Sequence, residues 1–234
     1  ADFARQLNDT LQIQGKTTWF DQESIAAGTS DFQQEIYRGI EVSDNFLFIL
    51  SPNAVQSPYC KDEVEYAVKL NRRIVTVLYR PVATADLHPE LAKVQWLDFS
   101  QHNEEFNHQF NRLIRTLETD REHVHSHTKW SQRALEWDQK GREEDLLLRG
   151  NELAIAQDWH KRTHDQQKRP DATDLQTALI EFSQARVDAA IQREFRQSKR
   201  LKRLLVGVST ALVVAVGASI VAFQQSQRAV KSQI

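Results

Sequence analysis

Apolar residues in this chain follow two rhythms. Up to about residue 118, short apolar runs alternate with segments in which apolar positions return every third or fourth residue; beyond that point only the second rhythm continues. Phe3, Leu7, Leu11 and Ile13 predict a short amphipathic helix, and Gly15 can take the left-handed conformation that closes it. Residues 16–20 predict a strand, because Thr17, Thr18, Trp19 and Phe20 are all strand formers. Residues 21–30 read as a loop, and Asp31 as the cap of a helix with Phe32, Ile36 and Ile40 on its inner face. Phe46-Leu47-Phe48-Ile49-Leu50 and residues 73–79 have the form of fully buried strands, and residues 94–99 that of a weaker edge strand. Helical spacing separates them, over residues 63–70 and again at Phe106, Phe110, Leu113, Ile114 and Leu117. Strands and helices alternating at this interval predict an α/β fold, a parallel sheet with helices on both faces.

The second half reads as helix throughout. Trp130, Ala134, Leu135 and Trp137 mark one helix, and Leu153, Ile155, Ala156 and Trp159 another, with an apolar knot at 146–148 between them. Residues 166–171, which include Pro170, form a break; Asp171 or Thr173 then caps a long helix through Leu179, Phe182, Ala185, Ala189, Ile191 and Phe195. Its apolar spacing is too irregular for a coiled coil. Residues 204–223 hold no charge for about 20 positions, the length that crosses a bilayer as helix. Arg193, Arg196, Lys199, Arg200, Lys202 and Arg203 precede this span, whereas only Arg228 and Lys231 follow it, which predicts a cytoplasmic N-terminal side. Gly207, Ala211, Ala215 and Ser219 recur every fourth residue, a small-residue stripe that can let membrane helices pack closely. The resulting division is 1–118 for the α/β domain, 119–170 for a helical linker, 171–203 for a basic helix, 204–223 for a membrane helix and 224–234 for a tail.

Composition narrows the function. A net charge of −2 over 234 residues, with pI near 6.5, provides no overall field to recruit nucleic acid. The basic run at 193–203 abuts the apolar span, so anionic lipid headgroups are its simpler partner. One cysteine excludes a disulfide framework and suits a reducing compartment. There is no methionine and the chain opens on Ala1, so it reads as a piece of a longer protein. His123, His125 and His127 alternate, and His160 and His164 lie one turn apart. Neither set has a cysteine or a convincing carboxylate partner, so surface histidines and no metal are expected. Cys60 has no evident His–Asp pair to activate it and reads as a small core residue.

Candidate chemistry concentrates in residues 51–64, where a buried strand crosses into a helix. In open α/β sheets ligands bind at the carboxyl ends of strands. Ser57 can cap the helix, Pro58 suits its first turn, and Cys60 and Glu63 fall one turn apart, predicting a shared face. A carboxylate held there can stabilise developing positive charge. Asp62 and Glu65 point elsewhere and read as surface charges.

These residues carry a resemblance. Ser51, Ser57, Tyr59, Cys60 and Glu63, together with the segment from Trp19 to Gly28, resemble the motifs of TIR (Toll/interleukin-1 receptor) domains of the bacterial and plant-like branch, over roughly residues 1–118. Tyr59 stands where that branch usually has Trp. The resemblance implies a flavodoxin-like sheet whose central first strand would precede Ala1; the chain as given starts at the first helix, and on that account is expected to lack turnover by itself. It also implies that Glu63 is a catalytic acid cleaving the nicotinamide–ribose bond of NAD+, which is substrate and not cofactor, with Ser57, Tyr59 and Trp19 as pocket neighbours. Asp21, Ile25 and Gly28 fall in the loop (the BB loop) through which such domains associate with one another. The helical half resembles the linker of bacterial TIR/repeat signalling proteins, which implies a sensor or repeat domain beyond Ile234. Two functions follow from the likeness: a membrane-anchored signalling or defence effector consuming NAD+ on self-association, or a non-enzymatic adaptor recruiting other TIR domains.

Overall fold

The computed structural model describes residues 2–20, 32–101 and 105–231. Helix α1, Asp2–Ile13, buries Phe3, Leu7 and Leu11. It closes on Gly15 at φ 72°, with the Gly15 and Lys16 N–H groups donating to the Gln12 and Leu11 carbonyls at 2.9 and 3.0 Å. Helix α2 is Phe32–Val42, strand β1 Asn45–Leu50, helix α3 Pro52–Gln56, helix α4 Pro58–Lys69 and strand β2 Arg73–Leu78. A 3-10 turn at Thr84–Asp86, helix α5 at Pro89–Ala92, the short strand β3 at Leu97–Asp98 and helix α6 at Phe106–Glu118 follow.

The strands form a parallel sheet in the order β1-β2-β3, with Phe46 opposite Ile74, Phe48 opposite Thr76 and Val77 opposite Leu97. Two-residue alternation sends β1 and β2 side chains to opposite sides. Leu47, Ile49, Val75 and Val77 join Phe3, Leu7, Phe99, Phe110 and Leu113 beneath α1 and α6. Phe46, Phe48, Leu50 and Ile74 face Val64, Leu87 and Leu91 on the other side. Both faces are therefore covered, as parallel strands require, and β1 and β2 read as continuous apolar runs for that reason.

Three local expectations need correction. Residues 16–20 are not a strand: β1 pairs with β2 alone among the described residues, and strand propensity without a ladder partner does not make a strand. The segment is held by side chains instead, Gln12 Nε2 donating to Thr18 Oγ1 at 3.0 Å and Lys16 pairing with Glu118. The strand expected at 94–99 shrinks to two residues, because Val94 N–H is spent on the Leu91 carbonyl as α5 turns off. Phe32 is half-exposed, at 49%, and Ile36, Gly39 and Ile40 carry the inner face of α2.

Beyond α6 the chain turns at Asp120, φ 50°, into α7, Arg121–Gln139; α8 is Gly150–Asp165 and α9 Asp174–Lys231. Trp130, Trp137 and Trp159 are buried, and Leu148 N–H donates to Ser183 Oγ at 2.9 Å. Leu135 of α7 packs with Ile36, Ile40, Ala67 and Leu70 of the α/β domain. Residues through Ser183 thus form one compact unit. The second unit, from Gln184, is the outer part of α9, whose described side chains are exposed from Ala190 to Ala222. Among the described residues, α9 is the one helix long and apolar enough to cross a membrane.

Candidate functional site

The crossover after β1 is built by two serines. Ser51 ends the strand and caps α3, its Oγ accepting from Ala54 N–H at 3.3 Å. Ser57, extended at φ −76° and ψ 122°, stops α3 and starts α4, its Oγ accepting from Cys60 N–H at 3.3 Å with Pro58 in the first turn. The two caps set the start of α4 six residues after the start of α3. The Tyr79 and Arg80 N–H groups both donate to the Leu50 carbonyl, at 3.0 and 3.2 Å, binding the carboxyl ends of β1 and β2 together beside this crossover.

Helix α4 carries two working faces. Cys60, Val64 and Val68 turn toward Phe48, Leu50, Leu87 and Leu91. Ala67, Leu70 and Tyr66 turn toward Ile36 and Ile40 of α2. Glu63, half-buried, lies one turn before Ala67. Three residues along the helix leave Cys60 and Glu63 about 60° apart, Cys60 packed against the sheet side. Cys60 lines a cavity of about 230 Å³ with Phe48, Val64, Leu87, His88 and Leu91.

Trp19 joins the cluster of Ile36, Ile40, Ala67 and Leu70. Its ring lies flat on Gly39 of α2, so close that a Cβ at position 39 would stand 2.5 Å from Cδ2. Tyr59 is 70% exposed at the start of α4. Asp21, Ile25 and Gly28 lie outside the described residues.

Sequence reasoning missed the polar cluster that continues this face. Tyr37 and Tyr66 stack at 4.2 Å, and Tyr66 Oη donates to Glu41; burial, then the Glu41 carboxylate, pushes the phenol pKa upward. Arg72, 4% exposed, donates from Nη2 to the Glu41 carbonyl and, at 3.4 Å, to Ser131 Oγ of α7. Desolvation lowers its pKa to about 10 despite the opposing charges of Asp44 and Glu41. The signal available was Tyr59, Glu63, Tyr66 and Leu70 at helical spacing, but nothing in the sequence placed α7 against them.

The histidines also depart from expectation. His123 and His127 are core residues, their rings 5.9 and 6.1 Å from Trp159, and His123 Nε2 donates to the Pro170 carbonyl at 2.9 Å. Helix α7 is covered by α2 on one side and by α8 and early α9 on another, so its buried arc is wider than one apolar stripe. His125 sits on the outside with Asp44 at 3.1 Å, and His160 is hydrogen-bonded to Thr177 at 3.1 Å. No group of three metal-ligating side chains occurs among the described residues. On α9, Ala211, Ala215 and Ser219 are exposed, Ser219 Oγ donating to the Ala215 carbonyl at 2.9 Å; Gly207 lies within the same helix.

A parallel sheet clothed by helices, with a doubly capped crossover after its first strand, defines an α/β module. The family model described as TIR domain matches residues 1–114, and that segment of the chain is a TIR domain. Among solved structures, the TIR domain of the Toll-related receptor TRR-2 from Hydra magnipapillata is similar at 21% identity, over 47% of this chain and 83% of that one, with a TM-score of 0.40. The curated proteins yielded no match. TIR domains act in signalling and generally associate with other TIR domains.

Proposed function

We propose that this chain is a membrane-anchored TIR effector that cleaves the nicotinamide–ribose bond of NAD+ when copies associate, with Glu63 as its acid. The observation that supports this reading is that Glu63 is half-buried in α4, the helix that Ser57 caps after the crossover from β1. Nicotinamide in NAD+ is already a cationic leaving group, so no general acid is required. What needs stabilising is the oxocarbenium-like ribose, and a fixed carboxylate in a poorly hydrated pocket does this well. Ser57 fixes the helix that presents Glu63, and Tyr59 and Trp19 supply pocket surface. The loop holding Asp21, Ile25 and Gly28 contacts the next copy, and α9 anchors the assembly with the TIR domain on the cytoplasmic side. Gly207, Ala211, Ala215 and Ser219 let two such anchors lie together.

The test is NAD+ consumption by the protein as its gene encodes it, beside Glu63→Gln. The substitution keeps shape and removes charge, and the expected loss is on the order of 10² to 10³ in rate, typical of one electrostatic stabiliser. Near-normal turnover by the folded variant would assign the domain to recruitment of other TIR domains instead.

A further inference from the structure

The outer part of α9 holds a charge pattern that anchorage alone does not require. Between residues 193 and 203 the helix carries Arg193, Arg196, Lys199, Arg200, Lys202 and Arg203 against the single acid Glu194, all exposed. At 3.6 residues per turn, the six cations occupy roughly one half of the helix circumference. Glu194, Gln197, Ser198, Leu201, Leu204 and Leu205 occupy the other. Phe195 lies among the cations, its ring 4.5 Å from Lys199 Nζ, and stays 56% exposed. Leu201, Leu204 and Leu205 are 62 to 66% exposed on the opposite half. The helix then continues into the uncharged stretch from Leu204 without a break.

A spanning helix needs cations only near its end, in any rotational position, because Lys and Arg can reach the interface from any side. A one-sided arrangement adds rotational information. It presents an array of cations spaced at about one helical turn, with an aromatic ring set among them, to whatever anion covers that side. Leu201, Leu204 and Leu205 and the continuing span fix the depth of the array at the level where phospholipid phosphates lie.

We propose that the Arg193–Arg203 face is a binding surface for anionic phospholipid headgroups. Resting on the membrane reading of α9, it adds selectivity: guanidinium groups of Arg193, Arg196, Arg200 and Arg203 each engage lipid phosphates bidentately, and Phe195 seats in the interface. Because the array is one-sided, bound anionic lipid fixes the rotation of the helix about its axis. A cation near an anionic surface strengthens binding by roughly fivefold, so four arginines acting together are worth more than a hundredfold even with partial engagement.

The experiment uses residues 1–234 purified in non-ionic detergent and titrated with fluorescent phosphatidylglycerol or fluorescent phosphatidylcholine in mixed micelles. Phosphatidylglycerol is expected to bind at least tenfold more tightly at low salt, with the advantage shrinking as sodium chloride screens it. The variant R193Q/R196Q/R200Q/R203Q should lose that preference, whereas Glu194→Gln should keep or increase it. Equal binding of the two lipids, a preference surviving in the quadruple variant, or displacement by inorganic phosphate at matched phosphate concentration would each overturn the proposal; the last would mark a general anion site. Carbonate extraction of membranes carrying the wild-type chain reads the span separately. A chain that resists extraction but shows no lipid preference refutes the headgroup surface alone; one that is extracted yet keeps the preference refutes the span alone.

Discussion

At residue scale, Gly39 shows how one missing Cβ organises the neighbourhood of the candidate site. The Trp19 ring occupies the space a side chain at position 39 would take, with Cδ2 and Cε2 within 2.6 Å of the ideal Cβ. An indole cannot yield as a flexible tip would, because its ring is also packed in the Ile36, Ile40, Ala67 and Leu70 cluster. Gly39→Ala should improve helix propensity slightly yet destabilise the protein by about 1–3 kcal/mol through overpacking. Thermal melts and acrylamide quenching should report a lower Tm and a more accessible tryptophan; an unchanged Tm with unchanged quenching would mean the ring is not anchored there. The sequence announced Trp19 as an aromatic strand former near a motif. It did not announce its neighbour, which lies twenty residues on.

At the scale of elements, the seam between the TIR domain and α7 turns on Arg72. This buried guanidinium ties the end of α2, through the Glu41 carbonyl, to Ser131 of α7, while Thr128 Oγ1 reaches the Ser43 carbonyl at 3.5 Å and Asn71 Nδ2 donates to the Asp171 carbonyl at 2.8 Å. Arg72 Nε and Nη1 have no hydrogen-bond partner among the described residues. A buried ion that is only partly paired adds little net stability, but deleting it opens a cavity and strands its partners. Arg72→Ala should therefore cost about 3 kcal/mol, and Arg72→Met, which keeps the volume and removes the desolvation cost, within about 1 kcal/mol of wild type. Urea denaturation followed by tryptophan fluorescence measures both; equal losses in the two variants would locate the contribution in the charge and not in packing. Several TIR-domain elements were legible from their patterns: α1 with its Gly15 cap, β1 and β2 as apolar runs, and α2, α4 and α6 from helical spacing. The extent of β3 and the fate of residues 16–20 were not, because strand formation depends on a ladder partner and no local pattern encodes one.

At the scale of the whole molecule, stability carries a pH signature from His127. This imidazole is 1% exposed; burial, then the nearby charge of Arg72, then His123, lowers its pKa to about 3 from the ordinary 6.5. The unfolded chain takes up a proton below pH 6.5 that the folded chain refuses. The contribution to stability is therefore complete above pH 6.5 and is lost progressively as pH falls toward 3. From pH 7 to pH 5 the loss from this group is about 2 kcal/mol. Melts of the detergent-solubilised chain should show Tm falling over that interval, and His127→Gln should flatten the fall. A Gln variant with the same decline would place the acid sensitivity in other groups.

What the sequence determined by itself was whatever depends on neighbours along the chain. Periodicity marked β1, β2, α1, α6 and the uncharged stretch of α9, cap chemistry marked Ser57 and Pro58, and the spacing of Ser57, Tyr59, Cys60 and Glu63 carried the likeness to TIR domains that the family match over residues 1–114 establishes. What only the tertiary structure decided was which faces meet. It turned Cys60 toward the sheet, laid Trp19 on Gly39, drew His123 and His127 into the core against Trp159, and closed α7 over Arg72. The reason is physical: a helix or strand pattern fixes angles around its own axis, whereas burial of a charge or a ring depends on a second element brought in from elsewhere in the chain.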